Sequence, residues 1–140
     1  MLYDRDCGFC RWSLAKLLAW DRDRRLGPIA LQDGRGRERL GSMPEEERMA
    51  SWHLVLPDGE VRSAGAGLPP LLRVLPGARP LAALAARAPR ATERAYRFVA
   101  GRRSLWGRFV TDGAKRRADE RISERADSRA MVSVTSSTSR

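Results

Sequence analysis

The chain has no apolar run long enough to cross a bilayer, which takes about 20 residues. Its longest candidate, Leu81-Ala-Ala-Leu-Ala-Ala, stops at Arg87. The opening Met1-Leu-Tyr-Asp-Arg-Asp carries charge by its fourth residue and has no apolar segment of the secretory kind, so the expected compartment is the cytoplasm. Lysine is nearly missing: of 27 basic residues, only Lys16 and Lys115 are lysine. A GC-rich coding sequence produces this arginine, alanine and glycine excess, and the basic residues are spread along the whole chain. The net charge of +10 by itself invites a nucleic-acid partner, but this composition and spread favour a solvated arginine-rich surface, and a nucleic-acid partner is not expected. There is one histidine, His53, and there are two cysteines, Cys7 and Cys10. Zinc prefers four ligands in a closed site, so this donor set is short for a metal and none is implied.

What remains is enough for one domain. The 140 residues are 42% hydrophobic and 31% charged, a globular balance. Two cysteines separated by two residues need a chemical explanation. A reducing compartment disfavours a structural bridge, and closing so small a loop removes little chain entropy.

Leu2-Tyr3-Asp4 fits a clipped strand. Phe9 to Trp20 turns helical, with Cys7, Cys10, Leu14, Leu17 and Leu18 on one face. Ile29-Ala-Leu31 reads as a buried strand, Asp33-Gly-Arg-Gly as a loop, and Met43-Pro-Glu-Glu-Glu-Arg as a short helix start. Trp52-His-Leu-Val-Leu56, Pro57-Asp-Gly59 and Glu60-Val-Arg-Ser63 form a strand, a tight turn and a strand. Helical patterns follow over Leu68–Leu75, Pro80–Ala88 and Ala91–Arg102. The four tryptophans, at 12, 20, 52 and 106, are read as core. Residues 111–140 hold no aromatic side chain and end in Ser133-Val-Thr-Ser-Ser-Thr-Ser-Arg140. They are read as a flexible basic and polar tail, dispensable for folding and helical at most over Asp112 to Ala126.

A Cys-x-x-Cys at the start of the first helix of an α/β unit is the arrangement of thioredoxin-like redox proteins. A helix N-terminus stabilises a thiolate through unpaired N–H groups and the helix dipole. Cys7 is then the nucleophile, and Cys10, about one turn inward and more shielded, is the resolving thiol. Asp4 and Asp6 make turns and caps well, and a carboxylate here could also take the proton of Cys10. His53 is either a satisfied strand residue or one that faces the cysteine pair across the sheet. Phe9, between the cysteines, offers an apolar platform for a partner.

The opening Tyr3-Asp-Arg-Asp-Cys-Gly-Phe-Cys10 resembles the Asp-x-x-Cys-x-x-Cys signature of the DCC-type thiol-disulfide oxidoreductase family, with Asp4, Cys7 and Cys10 at the signature positions. Leu17-Leu-Ala-Trp-Asp21, Trp52–Val61, Leu71–Pro76 and Tyr96–Arg103 are similar in order to later family segments, so the resemblance spans about residues 1–110. Arg5 stands where the family usually has glycine, and Ser51-Trp52-His53 stands where thioredoxins place a proline facing the cysteines.

The resemblance implies an α/β fold with a small mixed thioredoxin-like sheet, extra C-terminal helices, and a domain over 1–110 followed by the tail. The activity expected is thiol–disulfide exchange through Cys7 and Cys10, with Asp4 assisting and His53 a weaker candidate. Its partners would be a protein or small-molecule disulfide or thiol and an external reductant, with no bound cofactor. Two other readings stay open: a non-enzymatic module that binds a partner on the same fold, and a metal-binding cysteine pair.

Overall fold

A computed structural model of the chain describes residues 1–137; Thr138 to Arg140, the end of the expected tail, lie outside the described residues. Its strands are two or three residues long, with successive side chains turned to opposite faces of the sheet. Strand β1 is Leu2–Tyr3, β2 is Ile29–Ala30, β3 is His53–Val55 and β4 is Val61–Ser63. Their order in the sheet is β2-β1-β3-β4. β1 pairs parallel with β2, placing Tyr3 opposite Ala30, and antiparallel with β3, placing Leu2 opposite His53. β3 and β4 form the hairpin read from the sequence, closed at Gly59, whose φ of +88° suits glycine.

Eight α-helices surround the sheet among the described residues: α1 Gly8–Trp20, α2 Gly34–Leu40, α3 Glu45–Ala50, α4 Leu68–Val74, α5 Arg79–Arg87, α6 Pro89–Gly101, α7 Arg103–Phe109 and α8 Asp112–Ser137. The result is the mixed α/β, thioredoxin-like arrangement with added helices.

Strand parity divides the core. Tyr3, Ala30 and Leu54 point to one face, where they meet Leu14 and Leu18 of α1, Leu71 of α4 with Leu75 just after that helix, and Ile122 of α8. Leu2, Ile29, Leu31, Val55 and Val61 point to the other, against Leu40 and Met49 of α2 and α3. Leu14, Leu18, Leu71 and Leu75 are essentially fully buried, and each such leucine contributes about 1.5–3 kcal/mol.

Three expectations are corrected. The segment read as an Asp33–Gly36 loop is the cap and first turn of α2. Gly36 lets that turn lie directly on the Ala30 carbonyl, where a Cβ would collide. The tryptophans are not all core: Trp20 and Trp106 are 40% and 41% exposed. The largest correction is the tail. Residues 112–137 are helix α8, which packs along α1. Ala118, Ile122 and Arg125, at spacings of four and three, form its buried stripe.

Candidate active site

The site begins where β1 ends. Asp4 Oδ1 accepts the Asp6 N–H at 3.0 Å and Gln32 Nε2 at 2.8 Å. Gln32 Oε1 accepts the Arg5 N–H at 3.2 Å, and the Arg5 guanidinium pairs with Asp33 at 3.0 Å. The turn after β1 is thus tied to the end of β2 by polar side chains. Arg5 has no left-handed backbone, so this turn does not need a glycine at that position.

Cys7 follows as the N-cap of α1. Its extended backbone, φ −89° and ψ 106°, starts the helix, and its Sγ accepts the Cys10 N–H at 3.2 Å. Sulfur occupies the position where a cap oxygen normally sits. Negative charge on Cys7 would therefore meet the unpaired first-turn N–H groups and the positive end of the helix dipole. Cys7 and Cys10 lie at disulfide distance, with Cα atoms 5.2 Å apart.

Both cysteines are half-buried. Their surroundings differ. Cys10 borders a cleft of about 250 Å³ with Asp4, Phe9, Trp52, Tyr96 and Arg103 among its walls. Cys7 is not among them. The walls are almost wholly apolar, and burial in them pushes the hydroxyls of Tyr3 and Tyr96 above the ordinary tyrosine value. Ser51 and Trp52, which lead into β3, also line this cleft. The Phe9 and Trp12 rings stack with centroids 6.2 Å apart.

Helices α7 and α8 flank the motif. Gly107 lies against Phe9, and the Lys115 side chain runs over Gly8, its Cε 3.3 Å from where a Cβ would stand. One turn on, Arg11 makes a two-pronged contact with Asp119, at 2.9 and 2.8 Å. The sequence reading did not assign these neighbours, since nothing in the local pattern links residues more than 90 positions apart.

His53 is not brought to the cysteines. Its register partner Leu2 and its neighbour Val55 lie on the α2–α3 side of the sheet, opposite α1. Its ring is fully buried, with Nδ1 at 2.6 Å from Ser63 Oγ and Nε2 at 2.9 Å from the Arg48 carbonyl. Both nitrogens are thus engaged in joining β3 to β4 and α3. The physical reason is parity: Leu54 points at α1, so residue 53 must point away.

A parallel β1–β2 pair, an antiparallel hairpin and a cysteine pair capping the first helix agree with the comparison to known families. The family model for DCC1-like thiol-disulfide oxidoreductases matches residues 1–109. The chain belongs to the DCC1-like family. No curated protein and no solved structure matches it. The family match ends at Phe109, so α8, which flanks the DCC1-like cysteine pair through Lys115 and Asp119, lies beyond it. Among the described residues, no group of three or more His, Cys, Asp or Glu side chains could hold a metal ion, and no helix is long and apolar enough to cross a membrane.

Proposed function

We propose that the protein is a dithiol–disulfide exchanger in which Cys7 attacks and Cys10 resolves. The observation that carries this is the Cys7 sulfur at the N-cap of α1, with Cys10 at disulfide distance in the same helical turn. Family membership supports the same chemistry.

The step balances as follows. The Cys7 thiolate attacks one sulfur of a substrate disulfide, forms a mixed disulfide and expels a substrate thiolate, which takes up a proton. The Cys10 thiol loses its proton and attacks the Cys7 sulfur. The Cys7–Cys10 disulfide forms and the second substrate thiol leaves. The substrate gains two electrons and the protein loses two. An external dithiol, or a pair of monothiols, returns them. The same steps in reverse oxidise a substrate.

Asp4 is the candidate proton acceptor for Cys10, because both border the cleft. Its Oδ1 is committed to Asp6 and Gln32, so the same carboxylate also orders the turn that presents Cys7. His53 is left in the core by its placement. The apolar cleft beside Cys10 suits a substrate with an apolar flank next to its sulfur.

The test is equilibration of the full chain in glutathione buffers of varied poise, with thiols counted after acid quench. Exchange chemistry predicts a reversible, two-electron transition between two thiols and none. A pair that never closes, or closes once and is not reopened by glutathione or a stronger dithiol, would contradict it.

A further inference from the structure

From Arg94 to Thr111 the chain carries five arginines, at 94, 97, 102, 103 and 108, and no acidic residue. Arg97 is paired with Glu93 at 2.9 Å. Among the described residues, no carboxylate bridges the other four. The same stretch, α6 and α7, carries most of the large apolar side chains left open to solvent. Phe98 is 59% exposed and Phe109 is 80% exposed, and Val99, Leu105 and Trp106 are also open.

Several of these groups share one side. Arg102, the N-cap of α7, and Leu105, Trp106 and Phe109 within it follow at spacings of three, four and seven, which places them on one side of the helix. The break between α6 and α7 is bridged on that side, where the Arg102 guanidinium lies over the Phe98 ring at 3.9 Å. An arginine packed on an aromatic ring keeps its charge in water and its stem on apolar surface.

We propose that the α6–α7 face docks on an anionic lipid surface. Charge decides among occupants. A second copy would bring the same unpaired arginines to the contact, so self-association on this face is repelled. Phe98, Leu105, Trp106 and Phe109 stand open to solvent and are not among the walls of the cleft beside Cys10. Entering the boundary between headgroups and acyl chains satisfies both sets: Trp106, Phe109 and Leu105 lose water, and the guanidiniums meet phosphates. Val99, Ala100 and Arg103 also border the cleft beside Cys10, so docking would bring that cleft close to the lipid plane.

The test is cosedimentation of the full chain with vesicles of phosphatidylcholine alone and of phosphatidylcholine mixed with phosphatidylglycerol. Docking predicts binding to the mixed vesicles only, weakened by salt. Each arginine near a membrane surface is worth about fivefold in partitioning, so Arg102→Gln with Arg108→Gln should lower binding by the product of two such factors. Arg35→Gln with Arg73→Gln removes equal charge elsewhere and should change it little. Leu105→Ser with Phe109→Ser should also weaken it, with the melting curve unchanged because both side chains are exposed. No binding to mixed vesicles at low salt overturns the proposal. So does equal loss from the two arginine pairs, which would mean that net charge alone is felt. Concentration-dependent self-association abolished by Leu105→Ser with Phe109→Ser would assign the face to a second copy instead, and an acidic polypeptide that binds while mixed vesicles do not would assign it to a protein.

Discussion

The two ends of helix α1 are built differently. At the N-terminal end the cap is a sulfur, the supporting turn is held by Asp4, Arg5, Gln32 and Asp33 at or near the surface, and α8 touches it through the Lys115 stem and the partly exposed Arg11–Asp119 pair. At the C-terminal end the polar anchor is buried. Asp21 accepts the Arg25 and Leu26 N–H groups at 3.0 and 2.7 Å, and Arg125 from α8 reaches its carboxylate at 2.7 Å. The same guanidinium donates to the Leu18 carbonyl at 2.9 Å, satisfying a last-turn acceptor. The contrast teaches that one end of the helix anchors it and the other is left free for chemistry. Breaking a buried pair leaves an uncompensated charge, at about 3–5 kcal/mol. Exposed pairs are worth at most about 1 kcal/mol.

The sharpest way to break the comparison is to remove α8. A chain ending at Val110 loses the buried Ala118, Ile122 and Arg125 and strands Asp21 inside. It should lose on the order of 5 kcal/mol, enough to unfold many domains of this size. Urea melts check this; a midpoint unchanged from the full chain would return residues 111–140 to the status of a tail.

Arg125→Met is the finer cut. It should cost about 3–5 kcal/mol while Cys7 keeps its alkylation rate, measured well below the melting temperature. A slowed Cys7 at constant fold would mean that the two ends are coupled. Arg11→Ala, at the other end, should cost no more than about 1 kcal/mol, readable as a small shift of the thermal midpoint. A loss as large as that of Arg125→Met would erase the distinction.

A pH scan gives the smallest effect. Tyr3 and Tyr96 are held above the ordinary tyrosine value chiefly by burial. The folded state therefore keeps their protons longer than the unfolded chain does. Stability is unaffected by them at neutral pH and falls as pH rises past the ordinary tyrosine value toward the folded one. Tyr96→Phe should flatten part of that alkaline decline.

How much of this was legible in the sequence follows from which signals are local. The hairpin was, because two short strand-like runs bracket a Pro-Asp-Gly turn, and so was α1, whose apolar stripe runs on from the cysteine pair to the buried Leu14 and Leu18. Helix α2 was hidden by two glycines and three arginines in seven residues, with Leu40 its single large buried side chain. The packing of α8 was hidden because its inner stripe is an alanine, an isoleucine and an arginine, and the arginine becomes a core residue only where Asp21 waits for it. The side of the sheet that His53 faces depends on the Leu2–His53 register, a long-range fact no local pattern carries.

The roles of the two cysteines are tested most directly by trapping. The Cys10→Ser and Cys7→Ser chains are each mixed with an aromatic disulfide reporter, and the intact masses are followed. The account predicts that Cys10→Ser adds one reporter half at Cys7 rapidly and holds it, because nothing can attack that bond from within, whereas Cys7→Ser reacts much more slowly. Equal rates for the two variants, or faster addition to Cys10 across its apolar cleft, would contradict the assignment of Cys7 as the attacking thiol.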